Sequence, residues 1–325
     1  MEPIAAHTGR VPSCSHRGNG SGSEHREDIT AGAGVDRVVG TKKRDKEPEA
    51  DRNGGSGQTT EFFFDSHVHI LPEERLGGLM RWILRLIPAH PVPETVTARQ
   101  ILDDLRREGV THFFNLVYPL KEEETDSLNA FNGRLCSAIP GAIPFASMHQ
   151  DTADKVRVAE EALKSFPFIG FKFHPFVQGF DPWDKRMDPL YAFLQEAGKP
   201  VVVHTGFEDY YGRPMPVTEL EGMLKRYPRL PFVLAHMAFP KVETAFSMLE
   251  EYPELYLDAT LVLPYLRPEC ELYLASLPGG LGIIDRLIEG IQKHTGRVLY
   301  GSDHPAGMGG LSDIYRDLTN LPVSD

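Results

Sequence analysis

The feature that most constrains the fold of this chain is a repeat of short apolar runs, each followed by a longer segment with helical spacing. Eight runs follow one another from Glu61: EFFFDSHVH, VTHFFNLVYP, IPFASMHQ, FIGFKFHP, PVVVHTG, PFVLAHMA, LYLDAT and RVLYGSD. They are apolar almost throughout rather than alternating, which is typical of parallel strands covered on both faces. Eight such units in ~265 residues predict an α/β fold, a (β/α)8 TIM-type barrel. A doubly wound sheet is the alternative.

The first 60 residues differ in composition from the rest of the chain. They are rich in Gly, Ser and charged residues, so they cannot bury enough apolar surface to offset the entropy of ordering. The sequence therefore predicts a disordered low-complexity tail over residues 1–60 and a barrel domain over residues 61–325.

Composition also restricts the partners. The net charge of −12 argues against a nucleic-acid partner, because phosphate binding needs clustered Lys and Arg. No apolar run approaches the ~20 residues of a membrane span, so no membrane partner is expected. Three scattered cysteines without a CxxC motif indicate a cytoplasmic location. The expected partner is a small-molecule substrate, and a homo-oligomer is left open.

Polar residues recur at the ends of the predicted strands, where barrels of this kind carry their chemistry. From His69 to His204 is 135 residues, from His204 to His236 is 32, and from there to Asp303 is 67. Each interval is a whole number of strand–helix units of ~30 residues or more. The four side chains are therefore expected at one depth, converging on the barrel axis.

This set has the chemistry of a metal site. His67 and His69 point the same way from a strand and can bind one cation as neutral imidazoles. His204 and Asp303 would complete a set of three nitrogens and one oxygen, which suits one Zn²⁺, with Mn²⁺, Fe²⁺ or Co²⁺ as alternatives. Asp65 is in phase with the pair and could orient it. A lone strand-end histidine is usually only a polar cap, but the joint pattern favours a site.

The predicted catalysis uses a hydroxide bound to that metal, formed because the metal lowers the pKa of water toward ~7. Asp303 would take up the proton during the attack. His236 would polarise the scissile carbonyl or act as a general acid.

Loops after the strands offer weaker candidates for substrate binding. They are Trp183 after strand four, Tyr210 and Arg213 after strand five, and Arg267 after strand seven. An arginine there could hold a substrate carboxylate with two hydrogen bonds, although each one alone is more often a surface residue. The apolar insertion LPEERLGGLMRWILRLIPAHP after strand one is predicted to be a lid or a subunit contact.

The motifs DSHVH, KFHP, VVVHTG, LAHMA and YGSDHP, in this order, resemble the amidohydrolase superfamily. More narrowly, they resemble the amidohydrolase-related branch that contains aminocarboxymuconate-semialdehyde decarboxylase. The resemblance covers roughly residues 61–325 and implies a distorted barrel with a divalent metal. By motif position it implies His67, His69, His204 and Asp303 as ligands, and His236 as the acid or base of mononuclear members.

Two features set this chain apart from the family pattern. Binuclear members carry a carboxylated lysine on strand four, where this chain has Lys172 followed by His174. Either residue could bind or support the metal, and one metal is favoured over two. Without a metal role, Lys172 would pair with Asp65 or Asp303. Family members also continue past a last barrel helix, which is predicted here at 311–319, so a truncated C-terminus is expected.

The resulting hypothesis is a metal-dependent hydrolase of a small amide, lactone or ester. A metal-dependent, non-oxidative decarboxylase (a lyase) of an unsaturated or aromatic carboxylic acid is the first alternative. A barrel that binds metal or ligand without turnover is the second.

Overall fold

The computed structural model of the protein describes residues 62–322, so the predicted tail over residues 1–60 lies outside the described residues. The strands are β1 Phe64–Val68, β2 His112–Leu116, β3 Ala142–Phe145, β4 Phe171–Phe173, β5 Val201–His204, β6 Phe232–Ala235, β7 Leu255–Asp258 and β8 Val298–Leu299. The helices are α1 Glu73–Leu86, α2 Ala98–Arg107, α3 Thr125–Ser137, α4 Lys155–Ser165, α5 Pro175–Gln178, α6 Asp188–Glu196, α7 Glu208–Tyr211, α8 Val217–Arg226, α9 Val242–Glu251, α10 Glu271–Ser276, α11 Gly282–Lys293 and α12 Leu311–Thr319.

The strands are parallel and pair in chain order, β1 to β3 in one set and β4 to β8 in another. Backbone hydrogen bonds join the two sets at both seams. Ala146 N donates to Gly170 O (2.9 Å) between β3 and β4, and Ser66 N donates to Tyr300 O (3.0 Å) between β8 and β1. These seams leave no open sheet edge between the eight strands, so the predicted barrel is confirmed and the doubly wound alternative is wrong.

Alternate strand residues fill the barrel interior. Val202 and Val233 are paired in register on β5 and β6, and both belong to a buried cluster with Leu116, Phe145 and Ala235. The neighbours Val201 and Val203 instead pack against the surrounding helices. The near-continuous apolar runs of β5 and β6 thus reflect two buried faces on these strands.

Local signals in the sequence explain where the helices start and stop. Thr97 caps α2 in a reciprocal capping box with Gln100, and the chain leaves that helix at Gly109, whose φ is 81°. The predicted last helix coincides with α12. Among the described residues, no helix combines the length and the apolar character that a membrane crossing requires.

Candidate metal centre

Asp65 on β1 is hydrogen-bonded to the backbone of His67 and to two residues that follow β8. Its Oδ1 accepts from His67 N (2.9 Å) and Ser302 N (3.0 Å), and its Oδ2 accepts from Ser302 Oγ (2.6 Å) and Tyr315 Oη (2.6 Å). Burial raises the pKa of Asp65, although these hydrogen bonds oppose the shift. Four hydrogen bonds occupy the lone pairs of one carboxylate, so Asp65 supports the site rather than binding a metal.

His67, His69 and Asp303 form a buried group whose ligand atoms lie within 4.8 Å of one another. Asp303 Oδ1 lies 3.0 Å from His69 Nε2 and 3.4 Å from His67 Nε2. The Asp303 backbone is left-handed, with φ at 59°. This sharp turn after β8 lets a residue of the last unit reach the first strand.

Hydrogen bonds define which ring nitrogens are free to bind a cation. His69 Nδ1 lies 2.6 Å from Leu116 O, and a carbonyl oxygen can only accept, so Nδ1 carries the proton and Nε2 a lone pair. The Lys172 ammonium, a donor only, lies 3.3 Å from His67 Nε2, which therefore accepts as well. His69 Nε2 and Asp303 Oδ1 are then two acceptors 3.0 Å apart. They repel each other unless a proton or a metal cation lies between them, and a divalent metal can take the place of the proton at this donor set.

Asp258, at the end of β7, completes the support of His67 and escaped the sequence analysis. Its Oδ2 accepts from His67 Nδ1 (2.7 Å), and its Oδ1 accepts from Thr260 N (2.9 Å) and Thr260 Oγ1. Burial raises its pKa to about 7, opposed by the Thr260 hydrogen bonds and by Lys172. The signal was present in LYLDAT, because this carboxylate ends a predicted strand as the chosen residues do.

His236 and His204 form a chain of hydrogen bonds that ends in a free nitrogen. His236 Nδ1 donates to Thr260 O (2.9 Å), so its Nε2 accepts from His204 Nδ1 (3.0 Å). His204 Nε2 is then left with a lone pair, and among the described residues it is buried without a hydrogen-bond partner. His204 lies outside the close group of three, so its role as a ligand stays a prediction. The catalytic role of His236 also stays a prediction, since both of its nitrogens are bonded away from the cavity described below.

Lys172 of β4 and His174, the residue that follows this strand, flank these groups. The short contact of Lys172 Nζ is to His67 Nε2 rather than to the carboxylates expected from the sequence. Burial lowers the Lys172 pKa to about 8, opposed by Asp258 and Asp303. The ring of His174 stacks on that of His204 with centroids 3.7 Å apart.

Burial favours the neutral form of four imidazoles at this centre, and the neutral form is the one that binds metals. Burial lowers the pKa values of His67, His174 and His204 well below 6.5, with nearby positive charge adding to the effect. It lowers that of His236 to about 4. For Asp303, burial alone would raise the pKa, but the hydrogen bond and charge of His69 outweigh it and the pKa falls. Neutral imidazole nitrogens thus lie beside the anionic oxygen of Asp303.

A cavity of about 460 Å³ opens onto this centre. His69, His174, His204 and Asp303 line it from the strand ends, and helix α1, from the predicted lid insertion, forms one wall. Of the four loop candidates, Tyr210 lines the cavity. Arg213 is paired with Asp181 (2.6 Å), Arg267 is paired with Asp317 (2.6 Å), and Trp183 packs against the core, so the structure does not bring these three to the cavity.

Comparison with solved structures shows the same fold in other proteins. A TIM-barrel protein of Bordetella bronchiseptica is 20% identical, with a TM-score of 0.58 over 81% of this chain and 92% of that one. A protein of Pseudomonas putida, described as a 2-pyrone-4,6-dicarboxylic acid hydrolase, is 17% identical, with a TM-score of 0.53 over 80% and 90%. The 5-carboxyvanillate decarboxylase of Novosphingobium aromaticivorans, crystallised with manganese, is 15% identical, with a TM-score of 0.52 over 82% and 93%.

No curated protein matches the sequence. A family model does match it, over residues 64–310, and the family is described as Amidohydrolase. That match covers all eight strands and includes each residue of the buried histidine and aspartate group. The chain therefore belongs to the amidohydrolase family.

Proposed function

We propose that the protein is a metal-dependent hydrolase that acts on a small amide, lactone or ester. The observation that carries the proposal is the pair of acceptors, His69 Nε2 and Asp303 Oδ1, held 3.0 Å apart in a buried group with His67. Folding such a group costs free energy unless a proton or a metal cation offsets the repulsion. We therefore assign one divalent metal, with Zn²⁺ first and Mn²⁺, Fe²⁺ or Co²⁺ as alternatives.

His67, His69 and Asp303 would hold this metal, with His204 Nε2 as the fourth donor. When bound, the metal would supply Lewis acidity and lower the pKa of a coordinated water. The low pKa of Asp303 keeps its carboxylate ionised. Because Asp303 also lines the cavity, it can accept the proton that water releases on adding to a carbonyl group.

Other residues position these groups. His236 holds His204 in the tautomer that leaves Nε2 free, and Asp258 does the same for His67. Such partners of ligating histidines fix ring orientation and raise basicity. The neutral His174 lines the cavity, with its Nε2 3.4 Å from the Tyr211 hydroxyl, and is placed to contact a bound substrate.

Non-oxidative decarboxylation is the second candidate. The decarboxylase from Novosphingobium has the same barrel and was crystallised with manganese, so a similar metal centre could serve either reaction. We place hydrolysis first because the arginines that could have held a substrate carboxylate are paired elsewhere. Release of CO₂ from a panel of aromatic acids would reverse this order.

The deciding experiment measures metal content and turnover on the full-length chain. We expect one metal per chain by mass spectrometry, and hydrolysis of some members of a panel of esters, lactones and amides. Asp303→Asn should abolish turnover, with Asp285→Asn, an exposed residue on α11, as the matched control. Absence of bound metal, together with no response of stability to added Zn²⁺ or Mn²⁺, would refute the metal assignment. Bound metal without any turnover would favour the non-catalytic alternative.

A further inference from the structure

The residues that line the cavity limit the chemical class of the ligand, and not only the group that reacts. Resting on the proposed hydrolase, we infer that the substrate is an uncharged molecule with an aromatic or branched apolar body, rather than one that carries a carboxylate. The inference concerns the part of the ligand that lies away from the strand-end histidines, and it stands on the side chains of helix α1 and of the facing wall.

Helix α1 has two apolar stripes, and one of them stays partly accessible at the cavity. Leu76, Met80 and Ile83 are buried against the core. A second stripe, formed by Leu79, Trp82 and Leu86, lines the cavity and stays partly accessible. Residues at these spacings share a helix face, so α1 presents a continuous apolar surface to whatever fills the cavity.

The facing wall is aromatic, and we call it the aromatic wall; its members are Tyr118, Phe207, Tyr210, Tyr211 and Tyr265. The rings of Trp82 and Tyr211 stack with centroids 5.7 Å apart and planes 15° apart. Tyr211 stacks in turn on Phe176 at 4.7 Å and 7°. These parallel rings form a continuous aromatic surface against which an apolar ligand can pack.

The rim of the cavity is also apolar. Leu120 and Val177, two of the few large apolar side chains that are exposed among the described residues, both line it, at 41% and 38% exposure. Apolar surface left in contact with water at a cavity mouth is typical of a ligand-binding site. A ligand with an apolar body would remove this surface from water.

The positive charges of the lining are already neutralised. Arg75 pairs with Glu124 and donates to Tyr118 O at 3.0 Å, while Arg81 pairs with Glu94 at 2.9 Å. No other Arg or Lys lines the cavity among the described residues, whereas Glu74 and Asp303 add negative charge. A carboxylate buried away from the metal would lose its hydration without gaining a free cation, which is unfavourable.

The test compares two ligands of nearly equal shape on the full-length, metal-stripped protein, with calorimetry as the readout. 2-Acetonaphthone is uncharged and cannot be hydrolysed, and 2-naphthoate carries a carboxylate in place of the acetyl group. We expect the ketone to bind about tenfold tighter or more, because burying an unpaired charge costs at least ~1.4 kcal/mol. Equal or tighter binding of 2-naphthoate, or no binding of either, would overturn the inference. Because no turnover is measured, this result is independent of whether the protein is a hydrolase.

Two variants and one control variant test whether the ligands bind in the cavity. Trp82→Ala should weaken ketone binding about tenfold through lost stacking and contact area, whereas Trp183→Ala, at the tryptophan that does not line the cavity, should leave it unchanged. Glu124→Gln frees Arg75 from its carboxylate while keeping an acceptor for it, so 2-naphthoate should bind several-fold tighter and the ketone as before. Thermal denaturation checks that each variant folds. Unchanged 2-naphthoate affinity in Glu124→Gln would overturn the charge argument even if the tryptophan variants fail to fold.

Discussion

Replacing Asp258 with Asn is expected to weaken metal binding although Asp258 is not itself a proposed ligand. Asp258 uses both oxygens: Oδ2 accepts from His67 Nδ1 at 2.7 Å and Oδ1 accepts from Thr260 N at 2.9 Å. Asn has the same shape but only one acceptor. Whichever way the amide turns, its NH₂ group faces a donor, so at least one of the three hydrogen bonds that Asp258 accepts is lost.

The size of the effect follows from the bond that is lost. A hydrogen bond to a charged group contributes ~1.5–3 kcal/mol, and ~1.4 kcal/mol corresponds to a factor of ten in affinity. We therefore expect Zn²⁺ to bind about 10–100-fold more weakly, the range typical for partners of ligating histidines.

The assay titrates metal-stripped protein with Zn²⁺ in competition with a chelator of known affinity. Asp285→Asn serves as the control, because it makes the same chemical change at an exposed position on α11. If Asp258→Asn bound Zn²⁺ as tightly as the unaltered protein, Asp258 would not orient His67, and the metal would have to lie elsewhere.

Three further predictions test other parts of the structure. Gly301→Ala should lower the free energy of unfolding by ~1–3 kcal/mol and weaken Zn²⁺ binding, because the added Cβ would lie 2.5 Å from His67 Cβ. Denaturant titrations measure the first effect, with Gly296→Ala as the control because the space around Gly296 is open. Saturating Zn²⁺ should stabilise the protein by ~2.7 kcal/mol at 100 times Kd, seen as a higher Tm, and His69→Asn should lose most of that rise. Burial raises the pKa of Cys136 to about 12 from 9.0, so the unfolded chain releases the thiol proton at lower pH than the folded protein does. Between pH 9 and 12 the free energy of unfolding of the unaltered protein should therefore fall relative to that of Cys136→Ala, by up to ~1.4 kcal/mol per pH unit. The same pH dependence in both proteins would contradict the raised pKa.

The barrel could be predicted because strands covered on both faces need apolar residues at nearly every position, and the sequence therefore contains eight apolar runs. The polar residues at the strand ends could also be predicted, because intervals of whole strand–helix units place them at the same depth in the barrel. His67, His69 and Asp303 do come together. Asp258, which supports His67, was not predicted although it also ends a strand. Its run, LYLDAT, contains no histidine, and the prediction rested on histidine motifs.

Which loop side chains face the cavity could not be predicted from the sequence. Whether an arginine faces a cavity depends on which carboxylate lies near it in space, and the partners of Arg213 and Arg267 are 32 and 50 residues away. The cavity wall combines α1 with loops from several units, so its apolar character emerges only after folding. The boundary at residue 60, the oligomeric state and the cytoplasmic location stay predictions.

The contacts that join β8 to β1 have a consequence for the folding of the chain during its synthesis. Asp65 is bonded to Ser302 and Tyr315, 237 and 250 residues later, and Asp303 reaches His69 across the same seam. These are among the most non-local contacts a chain of this length can make, and such contacts form late because a long loop must close first. During synthesis the ribosome would release β1 long before its partner exists. A nascent chain would therefore carry two exposed histidines without their aspartate, and tight metal capture would mark the completion of folding.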